Sequence, residues 1–156
     1  VVASPRPLRV LEREAIMTLI NKGFMVIAGG GGGIPVIDDH GTLRGIDAVI
    51  DKDRAAALLA TELAADALVL VTGVDSVLLD FGKPSQRELT VVAADEMRMH
   101  ALAGQFPAGS MGPKVEAALD FVDAGGDVAV ITSANLMSAA LDSVSGPGTH
   151  IVRSIG

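Results

Sequence analysis

The stretch FMVIAGGGGGIPV, residues 24–36, joins an apolar run to five consecutive glycines. Residues 24–28 are uniformly apolar, which predicts a buried strand, and the glycines remove every Cβ from the turn that follows. Backbone amides in such a turn can approach an anion closely and adopt positive φ at little cost. A flexible linker is disfavoured because the strand-like run and the rigid Ile34-Pro35 pair flank the glycines. We therefore expect an anion or phosphate cradle at the carboxyl end of a parallel strand, with a purely steric tight turn as the alternative.

The segments on either side of this stretch predict a helix before it and a hairpin after it. Ser4-Pro5-Arg6-Pro7 predicts an extended entry, because each proline biases its predecessor away from helix. Residues 8–22 have apolar side chains at helical spacing, and Gly23 is suited to end that helix. Residues 36–44 predict a short hairpin around the polar turn DDHG.

The rest of the chain alternates between helical and strand-like patterns. Helices are predicted from Asp51 or Asp53 to about 65, at 93–103, from 109–113 to Gly125-Gly126 and at 135–142, strands at 68–71, 128–131 and 150–152, and irregular structure at 73–92. This alternation predicts an α/β fold with an open, mostly parallel sheet and helices on both faces, a three-layer αβα arrangement. Ligands of such sheets bind at the carboxyl ends of the strands, where the glycine loop, Thr72-Gly73-Val74-Asp75 and Thr132-Ser133 fall.

Composition excludes several classes of function. The chain of 156 residues suits one domain or one large lobe, and its net charge of −7 argues against a nucleic-acid surface, which needs clustered Lys and Arg. The absence of cysteine excludes disulfides, thiol catalysis and Cys-ligated zinc. His40, His100 and His150 are too scattered to predict a metal site. No apolar run approaches the roughly 20 residues of a membrane span, so we expect neither a membrane nor a nucleic-acid partner.

Two lysines stand where helix dipoles disfavour a cation. Lys52 and Lys114 each fall in the first turn of a predicted helix, which is unfavourable unless an anion lies nearby. Asp51 and Asp53 beside Lys52 are ordinary capping choices, whereas the lysines suggest a shared polyanion such as a phosphate chain. The glycine run lacks a following Gly-Lys-Ser/Thr and leads to a hairpin, which excludes a Walker A motif and disfavours a dinucleotide fingerprint. Two lysines oriented by one carboxylate would meet the needs of phosphoryl transfer.

The segments VVASPRP, AGGGGGIPV, AVIDKD, LVTGVDSV, FGKP and GSMGPKVEAAL, in this order and spacing, resemble carbamate kinase of the amino acid kinase superfamily. The likeness covers almost the whole chain. It implies transfer of a phosphoryl group between ATP and carbamate, with carbamoyl phosphate as product or as donor to ADP, and a cytoplasmic enzyme of arginine catabolism. Magnesium would accompany ATP or ADP, held mainly by the nucleotide's phosphates, with no protein metal site.

The resemblance also implies roles for particular residues. Asp51 would orient the catalytic lysines, and Lys52 and Lys114 would contact the transferred phosphoryl group and the nucleotide phosphates. Gly30, Gly31, Gly32 and Gly33 would lie near carbamate, and Thr72, Asp75, Gly109, Ser110 and Met111 would line the nucleotide site. Gly73 stands where the family often has a polar residue, so one contact near the nucleotide is expected to be missing.

The resemblance assigns residues 1–156 to the C-terminal, nucleotide-binding lobe. The family's N-terminal half, with a further lysine, much of the carbamate pocket and the dimer surface, would be absent from this chain. We therefore expect that the chain alone is a poor enzyme, that it docks onto its missing half and that the complete protein is a homodimer. A kinase of another small acid and a non-catalytic nucleotide-binding or interaction module are the alternatives.

Overall fold

The computed structural model describes residues 1–143 and 145–155, which form a mixed α/β fold around a four-stranded sheet. In chain order the elements are α1 (Arg13–Asn21), β1 (Val36–Asp39), β2 (Thr42–Gly45), α2 (Lys52–Glu62), β3 (Ala67–Thr72), β4 (Val77–Leu79), β5 (Arg87–Leu89), β6 (Val91–Ala93), α3 (Ala94–Leu102), α4 (Met111–Asp123), β7 (Val128–Ser133), α5 (Met137–Asp142) and β8 (Thr149–Val152). No helix within the described ranges is both long and apolar enough to cross a membrane.

The sheet has the strand order β3-β7-β8-β6, and parallel pairing dominates it. β3 pairs with β7 in parallel over six residue pairs, from Ala67↔Val128 to Thr72↔Ser133. β8 runs parallel to β6 and antiparallel to β7. The predicted parallel α/β fold is confirmed, and the carboxyl ends of β3 and β7 lie side by side at Thr72 and Ser133.

The core lies on the face of the sheet that α2, α3 and α4 cover. Leu68 and Leu70 of β3 are buried there, together with Ala129 and Ile131 of β7. The alternate residues of β3 point to the opposite face, where Val71 is 44% exposed. α5 packs on that face of β7, and the ring Nε2 of His150 lies 2.9 Å from the carbonyl oxygen of Ala140. The uniformly apolar sequence of β3 predicts burial of both faces of the strand, but within this chain one face stays partly exposed.

The region 73–92, predicted to be irregular, contains three short strands. β4 and β5 form an antiparallel hairpin, and β6 joins the edge of the main sheet. The prediction was wrong because Gly82 and Pro84 mark only the hairpin's turn, in which Asp80 also has a positive φ of 51°. Three-residue strands show too little periodicity to be recognised beside such turn residues.

The amino-terminal third departs most from the sequence prediction. Residues 24–28, predicted as a buried strand, pair with no described strand, and Met25 and Ile27 are each 96% exposed. α1 is shorter than the predicted 8–22 and buries only Ile16, although Gly23 follows its end with a φ of +83° as expected. An apolar run forms a strand only where a neighbour supplies hydrogen bonds, and the described residues supply none here.

Candidate nucleotide site

A cavity of about 520 Å³ opens beside the carboxyl end of β3, between the starts of α2 and α4. Its volume is in the range of small-molecule sites. The residues that line it are Asp51, Lys52, Asp53, Thr72, Gly73, Val74, Ser76, Leu78, Phe81, Gln105, Phe106, Pro107, Gly109, Ser110, Met111, Pro113 and Lys114. Seven of the predicted site residues are thereby brought together: Asp51, Lys52, Thr72, Gly109, Ser110, Met111 and Lys114.

The start of α2 is fixed by Asp51. Its Oδ1 accepts hydrogen bonds from the backbone amides of Asp53 and Arg54, at 2.9 and 3.1 Å, which is the usual geometry of an N-cap. Because the Asp51 side chain turns back to these amides, it does not reach either lysine. Asp51 is therefore the N-cap of α2, whereas the sequence had allowed either Asp51 or Asp53.

Asp53 lies between the two lysines. Its Oδ2 is 2.8 Å from Lys114 Nζ and 3.6 Å from Lys52 Nζ, so one oxygen joins the first turns of α2 and α4. The Asp53 and Lys114 side chains are only 9% and 10% exposed, whereas that of Lys52 is 61% exposed. Two lysines and two aspartates, Asp51 and Asp53, line the cavity and carry no net charge together, but both ammonium groups meet at the single carboxylate of Asp53. Such ammonium groups can bind an anion there.

The start of α4 is a tight turn closed by backbone hydrogen bonds. Ser110 occupies the N-cap position, but its hydroxyl makes no capping hydrogen bond. The chain instead turns through bonds from Ser110 N and Gly112 N to Pro107 O. A Cβ on Gly112 would lie 3.0 Å from that oxygen, so the tight turn that presents Lys114 favours glycine.

The glycine loop packs against the start of α2 rather than lining the cavity. A Cβ built on Gly32 would lie 2.1 Å from the carbonyl oxygen of Ile50, and Gly32 has a φ of +130°. Both facts require glycine at this position. Gly30, Gly31 and Gly33 have nothing within 4 Å of a built Cβ. The close backbone approach is thus a property of Gly32, which lies next to the segment that leads into Asp51.

The other end of the cavity is apolar. Leu78, Phe81, Phe106 and Met111 line it, and Phe81 is 72% exposed at the turn of the β4–β5 hairpin. Gln105 supports this hairpin, since its Oε1 accepts a hydrogen bond of 2.8 Å from Asp80 N. A site with one charged and one apolar end fits an amphipathic ligand such as a nucleotide.

Comparison with known proteins places the chain in a family. A sequence model described as "Amino acid kinase family" matches residues 3–133. The chain belongs to the amino acid kinase family. It is 50% identical over 143 residues to carbamate kinase of Staphylococcus haemolyticus, an alignment that covers 91% of this chain and 46% of the relative. It is 48% identical over 155 residues to the carbamate kinase-like protein YahI of Escherichia coli, covering 99% of this chain and 48% of that protein.

The structural comparison agrees with the sequence comparison. Carbamate kinase of Giardia lamblia bound to AMP-PNP superposes with a TM-score of 0.93 at 42% identity, over 97% of this chain and 48% of that one. This amino acid kinase chain therefore spans about half the length of the relatives that it matches. The predicted resemblance and fold class are confirmed.

Some predicted site residues of this amino acid kinase chain lie apart from the cavity, and others were missed. Asp75 is not among the lining residues, although its neighbours Val74 and Ser76 are. Asp53, Gln105 and the two phenylalanines line the cavity without having been predicted as site residues. Asp53 could have been found from its place next to Lys52 in the first turn of a predicted helix, whereas nothing local marks Phe81 or Phe106. Within residues 1–143 and 145–155, no three or more His, Asp or Glu side chains are grouped as metal ligands.

Proposed function

We propose that this chain is the nucleotide-binding lobe of a kinase that transfers a phosphoryl group between ATP and carbamate. The products are ADP and carbamoyl phosphate, and the reverse reaction forms ATP. The observation that carries the proposal is the placement of Lys52 and Lys114 on one oxygen of Asp53 at the charged end of the cavity. Residues 1–156 would form the C-terminal lobe, and the half found in the longer relatives would complete the carbamate pocket and a homodimer.

The two lysines differ in a way that suits two tasks. Lys114 is buried and held at 2.8 Å, so its ammonium group is a fixed positive charge that needs no reorganisation when a phosphate arrives. Lys52 is exposed and held at 3.6 Å, so it can swing toward the transferred phosphoryl group and follow the charge as it develops. Phosphoryl transfer depends mainly on such positioning and charge compensation.

Asp53 supplies the orienting carboxylate in this proposal, and Asp51 acts one step earlier by fixing the start of α2. The resemblance assigns the orienting role to Asp51. The contacts favour Asp53, because its oxygen is the one shared by both amines, while Oδ1 of Asp51 is engaged by two backbone amides. Asn substitutions at each position separate the two assignments: Asp53→Asn should lower kcat strongly, and Asp51→Asn, which keeps a capping oxygen, much less.

The apolar end of the cavity would take the base of ATP or ADP. Aromatic and aliphatic surface from Phe81, Phe106 and Met111 suits a flat heterocycle. Thr72, Gly109 and Ser110 line the same cavity and offer polar groups to the nucleotide. Magnesium would arrive with the nucleotide and be held by phosphate oxygens and water, a mode that the acidic side chains of this site can support without a dedicated cage.

Two measurements test the proposal. Calorimetry with ADP on the 156-residue chain should show binding at one site, and the full-length protein should form ATP from ADP and carbamoyl phosphate. Lys114→Ala in the full-length protein should lower kcat by at least about tenfold, since a lost charge contact supplies more than about 1.4 kcal/mol of transition-state stabilisation. Wild-type turnover in that variant would contradict the role of Lys114. Faster turnover with another small acid than with carbamate would show that this acid is the substrate. ADP binding without turnover in the full-length protein would show that the chain is a non-catalytic nucleotide-binding module.

A further inference from the structure

A second ion pair links α2 to α4 within one helical turn of the Asp53–Lys114 pair. Arg54 Nη2 donates to Glu116 at 2.9 Å from Oε2 and 3.3 Å from Oε1. Arg54 follows Asp53 directly, and Glu116 lies two residues beyond Lys114. Because a helix rises about 1.5 Å and turns about 100° per residue, the two pairs are offset by roughly 3 Å or less along the axes but lie on different sides of each helix.

The apolar contact between these helices does not by itself fix their register. The apolar residues that α2 contributes to the core are all alanines, with Ala57 buried and Ala56 and Ala60 partly buried. Alanine side chains form shallow ridges, so they restrain sliding or rotation of one helix on the other less than large side chains do. Polar pairs with directional hydrogen bonds are therefore needed to define how α2 sits on α4.

The Arg54–Glu116 pair is suited to this task. The Arg54 side chain is 26% exposed and that of Glu116 is 38% exposed, so the pair is only partly shielded from water and acts mainly through the direction of its hydrogen bonds. Arg6 approaches the other side of Glu116 and also bridges Asp120 at 3.1 Å, which ties the extended entry segment to the same helix. Glu116 is thus held between two guanidinium groups.

We propose that Arg54 and Glu116 are positioning residues that set the register of α2 against α4 and so keep Asp53, Lys114 and Lys52 aligned on the nucleotide's phosphates. The inference rests on the proposed function. Neither residue lines the cavity, so their effect on a ligand acts through the neighbouring pair. Without Arg54, the α4 start can shift and Lys114 Nζ loses its fixed place.

The test compares Arg54→Gln with a matched control, Arg98→Gln. Arg98 on α3 bonds both carboxylate oxygens of Asp123 on α4 at 3.0 Å, the same kind of interhelical pair at the end of α4 far from Lys114. We expect ADP affinity, measured by calorimetry, to fall about five- to tenfold in Arg54→Gln and less than twofold in Arg98→Gln. Arg54→Lys, which keeps one charged donor, should stay within about threefold of wild type.

A second readout needs no nucleotide. Lys114 is buried and should react slowly with an acetylating reagent, whereas Lys83 is exposed and serves as the internal reference. Mass spectrometry should show several-fold faster labelling of Lys114 in Arg54→Gln and no change in Arg98→Gln. If Arg54→Gln does not fold, Glu116→Gln removes the same pair from the other helix and should give the same pattern.

The outcomes separate this inference from the proposed function. Equal behaviour of Arg54→Gln and Arg98→Gln in both labelling and affinity would overturn the positioning role. Faster labelling of Lys114 in Arg54→Gln alone, in a protein that binds no ADP even as wild type, would support the positioning role and overturn the nucleotide site.

Discussion

Replacing Asp53 by Leu and Lys114 by Met, singly and together, separates what this pair contributes to stability from what it contributes to function. Both side chains are about nine-tenths buried and joined at 2.8 Å. Removing one partner leaves the other charge buried without its partner, which costs about 3 kcal/mol of unfolding free energy for each single variant. Lys114→Met should be the less destabilising of the two single variants, because Lys52 Nζ remains 3.6 Å from the Asp53 carboxylate.

The double variant should recover most of that loss. Met has nearly the volume of Lys, and Leu keeps the branched shape of Asp although it is larger; a buried ion pair is often matched by an apolar pair of similar size. The unfolding free energy of the double variant should stay about 1 kcal/mol below that of the wild type, because the carboxylate of Asp53 also interacts favourably with the positive end of the α2 dipole. The coupling free energy between the two positions is then about 5 kcal/mol, far above the value for independent sites.

Two assays give the answer. Urea unfolding followed by far-ultraviolet circular dichroism measures stability, since the chain has no Trp or Tyr to serve as a fluorescent reporter. Calorimetry with ADP measures function, and all three variants should bind at least about tenfold more weakly than wild type. A stable double variant that binds ADP like the wild type would refute the site, and single variants that lose under about 1 kcal/mol would refute the buried pair.

Three further predictions follow from other contacts. The guanidinium groups of Arg54 and Arg6 hold the pKa of Glu116 below its usual value of 4.5, so the stability that Glu116 contributes is present above that pH and is lost as the pH falls through the folded-state pKa. Burial raises the pKa of the neighbouring Asp120, so the contribution of Asp120 changes with pH in the opposite sense. Acid unfolding should therefore become less steep below about pH 4.5 in Glu116→Gln but not in Asp120→Asn. Gly32→Ala should cost about 1–3 kcal/mol in urea unfolding and weaken ADP binding, because its Cβ meets the Ile50 carbonyl at positive φ, whereas Gly31→Ala, with open space and ordinary φ, should be neutral. The 156-residue chain alone should form ATP from ADP and carbamoyl phosphate far more slowly than the full-length protein, and equal rates in a coupled assay would contradict the division into lobes.

The sequence predicted the parts of the fold that have long, regular patterns. α2, α4, β3 and β7 lie within a few residues of their predicted bounds, because each combines a full period of apolar residues with clear start or stop signals such as Asp51 and Gly125. The short strands within 73–92 were missed, since three residues carry almost no periodicity. The segment 24–28 has a strand's composition but no partner among the described residues, and composition alone does not show what a strand pairs with.

The candidate site also has features that the sequence predicted and features that it did not. The chemistry was visible locally: a cation in the first turn of a helix is anomalous on dipole grounds, and Lys52 and Lys114 both carry that anomaly. Their convergence was a hypothesis about two helices 60 residues apart, which only packing of α2 on α4 could bring about. The structure places both amines on Asp53 and shows that Asp51 is the cap.

By itself, then, the amino-acid sequence determined the order of the longer helices and strands, the absence of cysteine and the two lysines whose helix positions predict a phosphate ligand. These follow from local periodicity, composition and side-chain chemistry. The tertiary structure decided which carboxylate contacts both lysines, which glycine must be a glycine and that Phe81 and Phe106 line the same cavity. Such facts depend on distances between segments remote in sequence, and those distances are set by how the elements pack on the sheet.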